Sequence, residues 1–246
     1  MLRVFVLGAV SGLVAGFIEN ILIGTFEAIL PAGVILLVVT YFIGVAAVEE
    51  ACKYFCLNTV KNNPAFNYVF DAVVYSVAAA LGFAALENVF YVMEGGFETA
   101  VMRAIFSVPG HAADGVVMGV FYGLARQHEL HGRKAQATRF YWLAYLLPLI
   151  EHGFYDMALS TESDLMALVA MMFDLAFIGI AFALVRKQSS KDEPLHPSMG
   201  APMMQQATQQ PVMHQIAQGS DWYCLQCGVL NNGKFCTSCG TNNPRL

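Results

Sequence analysis

Four polar clusters interrupt the apolar stretches of this chain, and their residue types suit acid–base and metal chemistry. The first is "AAVEEACKY", which holds Glu49, Glu50 and Lys53, and the others are "GFAALENVFY", "VPGHAADG" and "EHGFYD". An ionisable side chain in hydrocarbon costs roughly 2.5 to 3.5 kcal/mol on insertion scales, so such residues are functional candidates by default. The candidates in the last three clusters are Glu87, Asn88, His111, His152 and Asp156.

Helical spacing predicts which of these side chains pair. Glu49 and Lys53 are separated by four positions and share one helix face, so they can form an ion pair. That pairing would leave Glu50, rotated by roughly 100° on a helix of 3.6 residues per turn, facing a cavity. His152 and Asp156 have the same four-residue spacing.

Two carboxylates and two imidazoles that converge in a low-dielectric cavity suit the activation of water. Either a glutamate acts as general base or the residues bind a metal. We assign Glu50, or Glu49, as the general base. Glu87, His111 and His152 are expected to be metal ligands or oxyanion stabilisers. Asp156 is expected to orient His152, and Lys53 to balance the charge.

Purely structural interpretations compete with these roles. Glu49 and Lys53 can form an ion pair without catalytic function, and His152 can be a hydrogen-bonded interior histidine. The remaining acids of the later stretches are interpreted as solvated, interfacial or helix-pairing residues; they are Asp114, Glu151 and Asp174.

The elements that carry these residues are predicted to be membrane helices. Of the 246 residues, 57% are hydrophobic and 13% are charged, whereas a soluble domain has about 25% charged residues. A helix needs about 20 apolar residues to cross a bilayer, while barrel strands would be short and alternating. The sequence predicts an all-α, polytopic bundle with six spans, at residues 2–23, 33–58, 69–92, 101–125, 139–159 and 165–186.

Charge placement predicts the orientation of the bundle. Lys and Arg gather at alternating ends of the spans, with Arg103 as the exception. The positive-inside rule therefore predicts that both termini lie in the cytoplasm. The membrane is expected to be the cytoplasmic membrane of a bacterium. The start "MLRVFVLGAVSGLVAG" resembles a signal peptide, but the apolar run continues to Ile23, which favours an uncleaved first span.

The C-terminal part differs in composition from the membrane part, which ends at residue 187. Residues 188–220 are rich in Gln, Pro, Ser and Met and are predicted to be a disordered linker. Residues 221–246 hold two C-x-x-C pairs, typical of a structural zinc ribbon. The predicted cytoplasmic location disfavours disulfides. The four expected zinc ligands are Cys224, Cys227, Cys236 and Cys239.

With these motifs in hand, the chain resembles the PrsW family of intramembrane proteases, within the superfamily that includes the CAAX prenyl proteases. The resemblance covers roughly residues 40–160 and rests on E-E-x-x-K, on the F-x-x-x-E-N stretch from Phe83 to Asn88, on His111 and on H-x-x-x-D. Prenyl-protease relatives typically carry a histidine at the position of Glu87. This difference disfavours a prenylated substrate. The resemblance implies that the protein cleaves a membrane-anchored protein, by analogy an anti-sigma factor. It also implies that a glutamate activates the water, with or without a divalent metal such as zinc.

Three functions are compatible with the sequence. The first is an intramembrane endopeptidase acting on a membrane-anchored protein substrate in the bilayer. The alternative is a non-enzymatic membrane adaptor or scaffold, whose zinc ribbon binds a cytoplasmic protein. A transporter with a Glu/His proton relay is the third, and no nucleic-acid partner is expected.

Overall fold

The computed structural model describes residues 1–195, 222–224, 230–237 and 240–243. The chain divides into two compact units, Met1–His196 and Pro197–Leu246. In the first unit the described elements are helices: α1 Leu2–Ile29, α2 Val34–Val38, a π-helix Val39–Ala46, α3 Ala47–Asn58, α4 Val69–Ile105, α5 Ser107–Leu130, α6 Lys134–Leu159 and α7 Asp164–Ser190. Two short strands in the second unit, β1 Trp222–Tyr223 and β2 Leu230–Asn231, pair antiparallel.

Membrane-spanning capacity follows from length and composition. Four stretches of the described residues are long and apolar enough to cross a membrane: Leu2–Ile29, Val34–Asn58, Val69–Leu130 and Asp164–Ser190. Large apolar side chains on them face outward, such as Phe17 and Val34, as expected for helices in contact with lipid. The mostly helical membrane fold is thus confirmed, but the predicted count of six spans is not, since α6 is not among the four and α4 and α5 form one stretch.

The α4–α5 stretch folds back on itself at Gly96. Gly96 has φ +71° and ψ −157°, a conformation open almost only to glycine. Val73, 23 residues before Gly96, lies against Gly119, 23 residues after it, and Val69 lies against Gly123 at 27 residues on either side. Contacts at equal distances from one residue define an antiparallel hairpin. Its first arm is residues 69–95 of α4, and its second arm, residues 97–130, is the end of α4 together with α5.

Close contact between the two arms depends on glycines at four-residue spacing. A Cβ added at Gly119 would lie 2.5 Å from Val73 Cα, and one at Gly123 would lie 2.4 Å from Val69 O. Gly115 meets Val77 in the same way, at 2.9 Å from its Cα. Small residues at this spacing let helix backbones approach closely in a membrane. This packing places His111 of α5 beside Glu87 of α4.

A π-helix leads directly into the first polar cluster. Residues 39–46 are wound with i→i+5 geometry, and α3 begins at Ala47. Single π-turns inside α-helices are frequent at functional sites. Phe42 of this segment packs against Gly153 of α6, where an added Cβ would lie 2.8 Å from the Phe42 ring. The π-helix therefore brings α3 and the His152 region of α6 together.

The segment after α7 is ordered and bound to the start of α4. The backbone N–H of Val69 donates to Glu193 O at 3.0 Å, and that of Leu195 donates to Asn67 O at 2.8 Å. The Asp192 carboxylate accepts the N–H of Phe70, and Leu195 is buried in the main apolar core. The predicted linker from residue 188 thus begins with the last residues of α7, up to Ser190, and continues with residues 192–195, which carry these bonds and this burial.

In the second unit, the described residues include two of the four cysteines predicted to bind zinc. Cys224 and Cys236 are buried with Trp222 in one apolar cluster. The N–H of Gly240 donates to Cys236 O at 2.9 Å, and Gly240 has φ +75°, which is the turn geometry expected after the second C-x-x-C pair. Cys227 and Cys239 lie outside the described residues, so the four-cysteine zinc site stays a prediction.

Candidate active site

The polar clusters of four helices converge on one cavity of about 970 Å³ in the first unit. Glu49 comes from α3, Glu87 from α4, His111 from α5 and His152 from α6, and all four line the cavity. The two histidine rings stand nearly perpendicular, with centroids 5.6 Å apart. Glu87, His111 and His152 thus meet at one cavity, and the α3 carboxylate that lines it with them is Glu49 rather than the expected Glu50.

Lys53 forms its shorter contact with Glu50 rather than with Glu49. Its Nζ lies 2.6 Å from Glu50 Oε1 and 3.5 Å from Glu49 Oε2. Both Lys53 and Glu50 are almost completely buried, at 1% and 0% exposure, and Glu50 is not among the residues that line the cavity. The sequence interpretation paired Lys53 with Glu49, whereas in the structure its nearer partner is Glu50. Side chains three positions apart on a helix can pair as readily as those four positions apart.

His111 bridges the α3 and α4 clusters. Lys53 Nζ lies 3.0 Å from His111 Nδ1, and His111 Nε2 lies 2.8 Å from Glu87 Oε2. An ammonium group can only donate, so Nδ1 accepts and the imidazole proton is on Nε2, which donates to Glu87. Phe83, one helical turn before Glu87, packs its ring 4.8 Å from the same Nζ.

His152 lies between three carboxylates. Its Nδ1 is 3.0 Å from Glu50 Oε1, and its Nε2 is 3.2 Å from Asp156 Oδ2 and 3.8 Å from Glu49 Oε2. The Nδ1–H donates to Glu50, which fixes the ring orientation. The predicted Asp156–His152 contact is therefore present, with Glu50 as a second partner.

The carboxylate and imidazole atoms form two groups that could each hold a metal ion. One consists of Glu49, Glu87 and His111, and the other of Glu50, Asp114 and His152; within each, the donor atoms lie within 4.8 Å of one another. The structure thus places Glu87 and His111 together, and it places His152 in the second group.

Arg103 was not predicted as a site residue, although it was the exception to the charge pattern. Its Nη2 lies 2.9 Å from Glu87 Oε2, its Nε donates to Asn88 Oδ1, and its guanidinium lies 3.9 Å from the Tyr91 ring centroid. A straight helix would separate positions 87 and 103 by about 24 Å at 1.5 Å per residue. Only the reversal at Gly96 brings Arg103 back to Glu87 and Asn88.

Three acids interpreted as solvated, interfacial or helix-pairing are buried and line the cavity. Asp114, Glu151 and Asp174 are each at most 3% exposed. One carboxylate oxygen of each is buried without a hydrogen-bond partner among the described residues. Asp114 had a signal in the sequence, since it follows His111 by three positions and shares its helix face. Asp174 had only the general signal of an acid inside an apolar stretch, because its place at the cavity depends on how α7 packs against α5.

A helical membrane protein whose buried carboxylates and imidazoles face one cavity has the features of an intramembrane hydrolase. Comparison with protein families specifies the class: residues 1–185 match the model described as PrsW family intramembrane metalloprotease. The chain belongs to this family. It is a protease, its substrates are membrane proteins, and it is an integral membrane protein.

Relatives support the same assignment. The chain is 30% identical to Protease PrsW of Oceanobacillus iheyensis over 189 residues, which is 76% of this chain and 82% of the relative. It is 34% identical to Protease PrsW of Geobacillus kaustophilus over 158 residues, 63% of this chain and 65% of that protein. With Protease PrsW of Bacillus subtilis it shares 36% identity over 126 residues, 50% of this chain and 55% of the relative. No solved structure matches the chain. These similarities do not favour the adaptor alternative.

Proposed function

We propose that this protease is an endopeptidase for membrane-anchored regulatory proteins of the anti-sigma-factor type, with Glu49 as the general base that activates water. The observation that carries the proposal is the state of the Glu49 carboxylate. Its Oε2 atom is buried, belongs to a residue that lines the cavity and accepts no hydrogen bond from the described residues, with Lys53 Nζ 3.5 Å away. Glu50, the other candidate, also has one unbonded oxygen, but its Oε1 is bonded to Lys53 and His152 and the residue does not line the cavity.

Lys53, His111 and Glu87 form a chain of contacts beside this base. Because Lys53 donates to His111 Nδ1, the His111 Nε2–H points towards Glu87 at the cavity wall. A donor held at this position can form a hydrogen bond with the oxyanion that develops when water attacks a peptide carbonyl. Removing one such donor typically lowers kcat by about 100- to 1,000-fold.

The family description implies a catalytic metal, and the residues present fit one. Glu87 and His111 offer the carboxylate and imidazole groups that zinc takes in proteins, within 4.8 Å of a Glu49 donor atom. Glu87 and His111 would hold the ion, and the Glu49 oxygen that accepts no hydrogen bond among the described residues would stay beside it as the base. When bound, a divalent metal polarises a carbonyl oxygen and acidifies water. A histidine ligand is a neutral imidazole, so a metal held by His111 Nε2 would require the ring proton on Nδ1. The Lys53 ammonium, which can only donate, would then bond to Glu50 and Glu49 rather than to His111, and the His152 Nδ1–H would remain a donor to Glu50.

The rest of the architecture is proposed as follows. The chain crosses the bacterial cytoplasmic membrane six times with both termini in the cytoplasm. The reversal at Gly96 divides one of the four apolar stretches into two arms, which gives five crossings, and α6 supplies the sixth. The C-terminal cysteines bind a structural zinc, and the resulting ribbon docks a cytoplasmic protein. Prenyl proteases are the wider relatives, with Glu87 replacing their histidine.

Cleavage of a defined probe tests the proposal. The probe is a synthetic peptide with about 20 apolar residues, interrupted at its centre by Gly-Pro and labelled with a fluorophore and a quencher at its ends. The full-length protein is reconstituted with it in proteoliposomes. Wild type should cleave the probe, and Glu49→Gln should lower the rate by at least about 100-fold, since a positioned base contributes that much or more.

Glu98→Gln is the matched control, because Glu98 is exposed and does not line the cavity. This variant should cleave at the wild-type rate. A Glu49→Gln protein as active as wild type would refute the assignment of the base. A wild-type protein that cleaves none of a panel of such probes, varied in sequence around the break, would count against the endopeptidase proposal itself.

A further inference from the structure

Helices α1 and α4 diverge along the side of the cavity. At Gly8, an added Cβ would lie 2.1 Å from Ala79 O, so the two backbones are in contact. One turn later, at Gly12, the nearest atom is a Leu86 side-chain carbon at 3.6 Å, and at Gly16 nothing lies within 4 Å. The two helices therefore enclose a wedge that opens from Gly8 towards Gly16.

One face of α1 forms the wall of this wedge. Gly12, Gly16, Glu19, Asn20 and Ile23 all line the same cavity as the catalytic residues. Their spacing of three and four positions places them on a single helix face. From Gly12 to Ile23 this face is about 16 Å long at 1.5 Å per residue, and about five extended residues fit along that length at 3.3 Å each.

The wedge offers hydrogen-bond acceptors rather than a purely apolar surface. Glu19 Oε1 is buried and accepts no hydrogen bond from the described residues. Glu49, only 4% exposed, likewise has an Oε2 atom that accepts none, with Lys53 Nζ 3.5 Å away. Such atoms need donors, because leaving a polar group unpaired in a low-dielectric site is costly. An unwound peptide in a membrane has the opposite need, since its N–H groups find no acceptor in lipid.

From these observations, we propose that the groove between α1 and α4 binds the substrate as an extended chain, with Gly16 providing the space for its backbone. The occupant is a locally unwound segment of a membrane-anchored protein, whose N–H groups bond to Glu19 and to other acceptors in the groove. This inference rests on the proposed endopeptidase function and specifies how its substrate is selected: a segment that unwinds easily binds, and a continuous apolar helix does not.

A pair of glycine variants on the same helix tests the groove. Gly16→Leu fills the wedge without displacing a neighbour, since no atom lies within 4 Å of its added Cβ. Gly24→Leu is the matched control, because Gly24 also has nothing within 4 Å and does not line the cavity. Both are made in the full-length Glu49→Gln protein, so that binding is measured without cleavage, in nanodiscs, by fluorescence anisotropy of the Gly-Pro probe.

We expect Gly16→Leu to weaken binding by at least about 10-fold, as overfilling of a packed site does, and Gly24→Leu to leave it unchanged. A second probe with Leu-Leu in place of Gly-Pro should bind the parent protein at least about 10-fold more weakly, because a continuous helix keeps its N–H groups bonded. Equal binding of the two probes would overturn the extended-chain proposal and indicate a groove for any apolar chain, including lipid.

The outcomes separate this proposal from the proposed activity. The groove proposal would be overturned if the Gly16→Leu and Gly24→Leu variants bound the probe equally, or if the parent protein did not bind it. Either result would hold whether or not wild type cleaves the probe. Gly16-dependent binding without cleavage by wild type would retain the groove and contradict the endopeptidase function on this probe. Thermal unfolding in detergent should give the same midpoint for both leucine variants.

Discussion

At the scale of residues, Lys53 organises the site because its single ammonium group contacts three partners. Nζ lies 2.6 Å from Glu50, 3.0 Å from His111 and 3.5 Å from Glu49. A buried charge without a partner is expensive, so Lys53 and Glu50 are expected to depend on each other. The short contact to Glu50 leaves Glu49 as the carboxylate with an oxygen available in the cavity.

A double-mutant cycle measures that dependence. Glu50→Ala should lower the free energy of unfolding by roughly 3–5 kcal/mol, because it leaves Lys53 buried beside a more distant carboxylate. Lys53→Met should be destabilising in the same way. The double variant should lose less than the sum of the two, with a coupling energy of about 0.5–3 kcal/mol, measured by denaturant unfolding in detergent micelles. Strictly additive losses would show that the two side chains do not act as a pair.

At the scale of elements, the α4–α5 hairpin sets the positions of Glu87, Arg103 and His111. The glycines of α5 allow the two arms to touch, and Gly96 allows the chain to reverse. Motif residues that are far apart in sequence thereby become neighbours. Any change that separates the arms should affect catalysis as well as stability.

Gly119→Leu should separate the arms, since an added Cβ would lie 2.5 Å from Val73 Cα. Overpacking of this kind costs about 1–3 kcal/mol or more, and the shift should withdraw His111 from Glu87 and lower the cleavage rate. Gly179→Leu on α7 is the control, because an added Cβ there meets nothing within 4 Å. Thermal unfolding and probe cleavage measure both effects. A Gly119→Leu variant with wild-type stability would contradict the close packing of the two arms.

At the scale of the whole molecule, the segment that follows α7 fastens the C-terminal end of the helical unit. Residues 192–195 bond to the start of α4, and Gln127 of α5 donates to the Glu193 carboxylate at 2.9 Å. We therefore propose that the membrane unit extends to residue 196, where the first compact unit ends, rather than to residue 187.

Two truncations distinguish these boundaries. Removal of residues 197–246 should preserve stability and probe cleavage, whereas removal of residues 188–246 should destabilise the protein by about 2 kcal/mol or more through loss of the buried Leu195 side chain and its neighbouring hydrogen bonds. Thermal unfolding in detergent measures the difference. Equal midpoints for the two truncations would contradict a stabilising role of residues 188–195.

Metal content gives a second test at this scale. The full-length protein should contain two metal ions per chain, one in the ribbon and one at the Glu/His site, as measured by atomic emission after dialysis. The Cys224→Ala, Cys227→Ala double variant should keep one, and cleavage should persist in it until a chelator removes that ion. A double variant that contains no metal yet still cleaves the probe would refute the metal at the Glu/His site.

The sequence by itself determined the class of fold and five of the polar residues that meet around the cavity. A chain with 13% charged residues in long apolar stretches must satisfy its backbone internally, and helices do so in lipid. The cost of burying charge then singled out Glu49, Glu50, Glu87, His111 and His152. These residues were found because their chemistry conflicts with their surroundings, which is visible without a structure.

The tertiary structure decided which partners these residues take. Spacing allowed Lys53 to pair with Glu49 or Glu50, and only the packing of α5 and α6 around α3 made Glu50 the nearer partner and left Glu49 facing the cavity. The burial of Asp174 and the return of Arg103 to Glu87 likewise depend on helix rotation and on one reversal at Gly96. Periodicity fixes the faces of a helix, but the rotation of one helix against another is set by side-chain packing across the interface, which a single sequence does not encode locally.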